Sequence, residues 1–201
     1  MNSISTLADN YLEARARVYA RGQTFSLPAK LGLALAVAFL TGAAAQLRLP
    51  LPGTPVPVTG QVFVVLLAGV LLGRTYGPIS MALYLGIGAA GVPWFNAFSG
   101  GPSVLTGVTA GYLIGFLPAA LLAGWTTHRF EFLRRPPGIL VVMTAAVAVI
   151  YLTGAAWFAR VTGAGVATTI SGAVLPFIGW DLAKAFLATG IASVLLPKNE
   201  G

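Results

Sequence analysis

Leu175–Leu196 reads LPFIGWDLAKAFLATGIASVLL, one long apolar run in which Asp181 and Lys184 are the only charged residues. A run of this length and character predicts a membrane-spanning helix. A charge near the middle of a bilayer costs roughly 2.5–3.5 kcal/mol even on the lenient insertion scale. Spaced three apart on a helix, Asp181 and Lys184 leave the same face and can address one cavity. Two explanations are open: an ion pair that neutralises itself in helix packing, or a ligand or ion site facing the interior of a bundle. Pairs buried for stability alone compare poorly with apolar residues of equal volume, which favours the site.

The rest of the chain agrees with a membrane protein. Of its 201 residues 57% are hydrophobic and only 8% charged, against about a quarter charged in soluble domains. The expected fold is an all-α integral membrane protein, a single bundle of six transmembrane helices with both termini cytoplasmic. The spans are predicted at Leu31–Gln46, Gly60–Gly73, a third ending at Gly91 after a tight turn at Arg74–Pro78, then Thr109–Trp125, Gly138–Phe158 and Leu175–Leu196. Residues 31–198 form this membrane domain. Residues 1–30, with Arg15, Arg17 and Arg21 among apolar residues, are expected to be a cytoplasmic segment carrying a helix on the membrane surface.

Loop charge sets the orientation. Arg15, Arg17, Arg21, Lys30, Arg74, Arg129, Arg134, Arg135 and Lys198 collect on one side, whereas the other has Arg48 and Arg160. The proline-rich loop Leu47–Thr59 and the aromatic Gly-Gly loop Val92–Val108 then share the outer face with the start of the last span. On that geometry Asp181 and Lys184 lie roughly 9 and 14 Å inside their helix, at 1.5 Å per residue.

Lys184 supplies donors and Asp181 acceptors. Thr59, Gln61, Tyr84, Asn96 and Tyr112 fall near outer span ends or in the covering loop and can extend the polar inventory. Trp94, Phe95, Phe98 and Trp180 can wall an apolar pocket or serve as an interfacial belt. Two ridges of small residues at four-residue spacing, Ala34–Ala38–Gly42 and Gly107–Gly111–Gly115, allow close helix approach. The first can meet a helix of its own bundle or of another protein. Cysteine is absent and His128 is the sole histidine, which argues against redox, zinc and most hydrolytic chemistry. No Gly-x-x-x-x-Gly-Lys-Ser/Thr loop is present, so nucleotide hydrolysis would belong to another chain.

Val56–Gln61, Tyr84–Phe95, Gly100-Gly101, Thr109–Phe116 and Pro176-Phe177 with Asp181 and Lys184 together resemble the BioY family, the biotin-specific S components of energy-coupling-factor transporters. The resemblance covers about Thr41 to Leu196. It implies a non-enzymatic subunit that captures biotin from the extracytoplasmic side of the cell inner membrane and delivers it inward, with no cofactor. Implied partners are biotin, the lipid bilayer and a transmembrane coupling subunit with its ATPases; a homo-oligomer is left open by the sequence, and basic residues placed between apolar runs and not along one face do not point to nucleic acid. By motif position Lys184 meets the biotin carboxylate or a neighbouring polar contact, Asp181 and Asn96 are polar ligands, and Tyr112 lines the pocket. Ala34 and Ala38 match the stretch that docks on the coupling subunit. The chain departs from the family pattern at Val108, Ala110 and Trp180, where Trp180 would narrow the pocket. The alternative reading of the residues is a stand-alone proton- or ion-coupled carrier titrating Asp181, with a membrane enzyme behind it.

Overall fold

The computed structural model describes Glu13 and residues 24–197. Through them the chain runs α1 (Leu27–Gln46), β1 (Arg48–Leu49), β2 (Val58–Thr59), α2 (Gln61–Ala89), α3 (Ala110–Arg129), α4 (Pro136–Thr162), α5 (Val166–Ala173) and α6 (Ile178–Leu195). Four 3-10 turns complete it, at Asn96–Phe98, Pro102–Thr106, Glu131–Arg134 and Leu175–Phe177. Among the described residues five helical segments are long and apolar enough to cross a membrane: α1, α2, α3, α4 and the stretch Val166–Leu195. The surface helix expected before Leu27 lies outside the described residues, apart from Glu13.

α2 is a hairpin and not a rod. Gly73 has φ 76° and ψ −171°, a region open in practice only to glycine, and there the helix reverses. A Cβ built on Gly77 would stand 3.0 Å from the Cα of Gly69, where a straight helix would separate the two residues by about 12 Å. Further along the arms Gln61 Nε2 donates to Tyr84 Oη at 2.7 Å. The turn expected at Arg74–Pro78 is therefore made by Gly73 alone, and those five residues open the second arm. His128, at the end of α3, caps the elbow through Nε2 and the Val70 carbonyl at 3.3 Å.

α3 lies between this hairpin and α4, packed closely on both. Gly111 and Gly115 make the α4 contact close, since a Cβ on Gly111 would be 2.5 Å from the Thr153 carbonyl. Gly107 precedes the helix, and its carbonyl accepts from Trp157 Nε1 at 2.9 Å. Ala34 and Ala38 are completely buried, and Gly42 seats Trp94. In the lone chain this ridge is therefore covered at Ala34 and Ala38.

The loops are more ordered than the sequence suggests. The proline-rich connection is pinned by an antiparallel ribbon pairing Arg48 with Thr59 and Leu49 with Val58, a small exception to an all-α chain. The Gly/Thr-rich connection after Arg160 contains α5, which begins after a left-handed Gly163 ends α4. Outward-facing Phe39, Leu152, Phe186 and Leu187 are exposed, an apolar exterior of the kind that meets lipid.

Candidate functional site

Pro176 and the break at Val174 (φ −131°, ψ −63°) delay the last helix until Ile178. Asp181 thus sits in the first turn of α6, shallower than an Ile178-independent start at Leu175 would place it. The partial positive charge of a helix N-terminus favours a carboxylate there. Lys184 Nζ lies 2.6 Å from Asp181 Oδ1, and Tyr151 Oη of α4 donates to Asp181 Oδ2 at 2.7 Å. Both carboxylate oxygens are engaged, while an ammonium with three donors keeps two for other partners.

These groups border a cavity of about 110 Å³. Thr59, Gln61, Phe95, Asn96, Tyr112, Asp181 and Lys184 line it, alongside apolar Val62, Phe116 and Ile150. Gln61 is held by Tyr84 and also accepts from Thr59 Oγ1 at 3.0 Å. Tyr112 donates to the Ala173 carbonyl at 2.5 Å, fixing the end of α5 beside the chamber. Asn96 differs from the rest: its Oδ1 is buried and has no hydrogen-bond partner. A buried acceptor left unpaired costs about 1–3 kcal/mol, so an N–H arriving in the cavity would be gained at that atom.

Tyr84, Trp94 and Trp180 are not on the cavity wall. Tyr84 is fully buried behind it, with ring centroids 5.5 Å from Trp94 and 5.2 Å from Phe95, and Trp94 Nε1 donates to the Tyr84 carbonyl at 2.9 Å. Trp180 is half exposed and turns outward, so it does not narrow the chamber as the sequence suggested. Phe98 is likewise exposed.

The covering loop is fastened by Gln46, at the end of α1. Its Nε2 donates to the carbonyls of Trp94 and Phe95 at 3.2 and 3.0 Å, and its Oε1 accepts from the Phe98 amide at 3.1 Å. Between these anchors Ala97 and Phe98 adopt positive φ of 59° and 53°. Non-glycine residues rarely hold that conformation, and here it aims Asn96 inward.

On the far side of Thr59 and Lys184 a groove of about 370 Å³ is lined by Arg48, Leu49, Gly60 and Trp180. Arg48 is the cross-strand partner of Thr59, and directly opposed side chains share a face of the ribbon. Tyr151, Gln46 and Arg48 are site residues that the sequence alone does not single out. Tyr151 and Gln46 carried only the weak signal of a polar group in or beside an apolar span, and Arg48 had served only as a topology marker.

Apolar spans enclosing a chamber with an ion pair and an orphaned acceptor define a membrane-embedded small-ligand-binding bundle. The BioY family model matches residues 18–199, and the chain belongs to the BioY family. It is 41% identical over 156 residues to the "Probable biotin transporter BioY" of Pyrococcus horikoshii, covering 78% of this chain and 89% of that one. It is 36% identical to the "Biotin transporter BioY" of Thermotoga maritima, over 71% and 82% of the two chains. A crystal structure of the S-component for biotin from an ECF-type ABC transporter superposes with a TM-score of 0.79 at 24% identity, covering 86% of this chain and 94% of that one. That likeness extends to the arrangement of the helices.

Proposed function

We propose that this chain is the biotin-binding membrane subunit of a transporter, not an enzyme, and that the vitamin occupies the chamber beside Asp181 and Lys184. The observation that carries this reading is the unpaired Asn96 Oδ1 in the same cavity as the ion pair. Biotin offers what that set lacks: urea N–H donors for Asn96, a urea oxygen for the spare Lys184 donors, and an apolar ring for Phe116 and Ile150. Its carboxylate tail reaches toward the mouth at Thr59, where Arg48 meets it. BioY relatives named as biotin transporters support the ligand.

Each arm of the α2 hairpin counts in this reading as one crossing, and Val166–Leu195 as the last, giving six spans. Both termini lie with the basic loops on the cytoplasmic side of the inner membrane. Biotin enters from the opposite side, and the Gln46-fastened loop closes over it. The chain lacks a nucleotide-binding loop, so coupling to ATP falls to partner ECF subunits. We keep the Ala34–Ala38 stretch of α1, buried in the lone chain, as the proposed contact with the coupling subunit. We place residues 1–30 on the same cytoplasmic side.

Asn96→Ala tests the assignment. Calorimetry on the detergent-purified protein is expected to show biotin binding weakened about 10- to 100-fold, the loss of one or two hydrogen bonds, with the melting temperature unchanged. Unaltered affinity would remove biotin from this chamber. Arg48→Gln separates tail from ring: biotin should bind about tenfold more weakly, while the uncharged biotin methyl ester binds as to the unsubstituted protein. Equal losses for both would place the carboxylate elsewhere.

A further inference from the structure

One face of α3 remains outside the transport site. Pro118, Leu121, Leu122 and Trp125 line an open, almost wholly apolar groove of about 370 Å³. Their spacing continues down the helix to Arg129, its last residue. A 20-residue α3 spans about 30 Å, the thickness of the hydrocarbon core. Arg129 therefore stands at headgroup level and Trp125 about 6 Å inside it, the depth that tryptophan favours. Pro118 lies about 16 Å from Arg129 along the axis, close to half of that core. The groove has the reach of one acyl chain in one leaflet.

Its charged end is also built. Arg129 stacks over the Phe130 ring at 5.7 Å, and Phe130 meets Trp125 edge-on at 5.7 Å and Phe132 at 6.0 Å. Arg135, which follows the 3-10 turn Glu131–Arg134, is exposed. The acid in that turn, Glu131, is drawn to Arg134 at 3.6 Å, and Arg134 is itself buried and donates Nε to the Thr127 carbonyl at 2.9 Å. This end of α3 thus carries Arg129 above an aromatic shelf and an apolar slot, with a second exposed cation, Arg135, six residues further along the chain.

We propose that this face is a binding site for an anionic phospholipid of the leaflet at the basic end, with its phosphate between Arg129 and Arg135 and one acyl chain along Pro118–Trp125. Charge complementarity selects the lipid: a zwitterionic headgroup adds an ammonium where the protein already supplies two cations. The test is lipid retention by the full chain in nanodiscs of mixed phosphatidylglycerol and phosphatidylcholine with matched chains, read by native mass spectrometry after release into detergent. Phosphatidylglycerol should be retained in preference. Arg129→Gln with Arg135→Gln should reduce that preference about thirtyfold, as expected for two surface cations. Arg129→Lys with Arg135→Lys should keep most of it, and Trp125→Ala should weaken retention of both lipids. Soluble glycerol 3-phosphate should not compete. Equal retention of the two lipids, or a preference that survives the double glutamine variant, would overturn the site. So would competition by glycerol phosphate, because the acyl slot would then be idle.

Discussion

Lys184→Ala is expected to abolish tight biotin binding and also to lower the stability of the empty protein. Losing the charged donor to the urea oxygen costs binding about 1.5–3 kcal/mol, from about tenfold to over a hundredfold. The stability effect has a separate origin. Asp181 is 4% exposed, and without the ammonium at 2.6 Å its charge is balanced only by the Tyr151 hydroxyl and the α6 N-terminus. A buried charge left in that state costs about 3–5 kcal/mol. Adding Asp181→Leu to Lys184→Met separates the two effects, because apolar replacement of a whole buried pair is often neutral or stabilising. The double variant should melt near the parent temperature and still bind no biotin. If calorimetry on it returned parental affinity, the pair would be a packing device and the ligand would sit elsewhere.

The apolar spans were legible because hydrophobic length is a property of a segment alone. α3, α4 and α6 begin or end within a few residues of their expected bounds, and α1 starts four residues earlier, at Leu27, where Pro28 suits a first turn. Reversals were harder to read. Gly77 and Pro78 carry the usual turn signal, yet both lie inside the second arm of α2, and the bend falls at Gly73 because Gly124 and His128 of α3 leave room there for nothing larger. The glycine- and threonine-rich segment after Arg160 has weak helix propensity, yet α5 forms there by packing on α4, a tertiary override of local preference. In the site, Asp181 and Lys184 announced themselves by their cost in a bilayer. Tyr151 did not, because a tyrosine in an apolar span is ordinary until a carboxylate from a helix thirty residues later accepts the hydrogen bond its hydroxyl donates. Trp180 misled for the complementary reason: its neighbour Asp181 faces inward, and adjacent helical residues do not share a face.

Gly73→Val is expected to be the most damaging single change to the fold. At φ 76° and ψ −171° a side chain strains the backbone by about 1–3 kcal/mol. The Cβ would also stand 2.8 Å from His128 Cε1, pushing the imidazole away from the Val70 carbonyl it caps. Neither arm can shift to make room, because Gly124 already brings α3 against the elbow's own backbone. Together these effects place the loss above the usual range of single substitutions, at about 4 kcal/mol or more. A thermal melt in detergent should show it as a large fall in melting temperature, with biotin binding lost in proportion to the unfolded fraction. Combining Gly73→Ala with His128→Ala divides the cause, since it removes the steric encounter and leaves the backbone strain. That pair should recover part of the stability lost in Gly73→Val. A Gly73→Val protein as stable as its parent would mean that the chain reverses at another residue, and the pairing of Gln61 with Tyr84 beneath the chamber would then need another geometry.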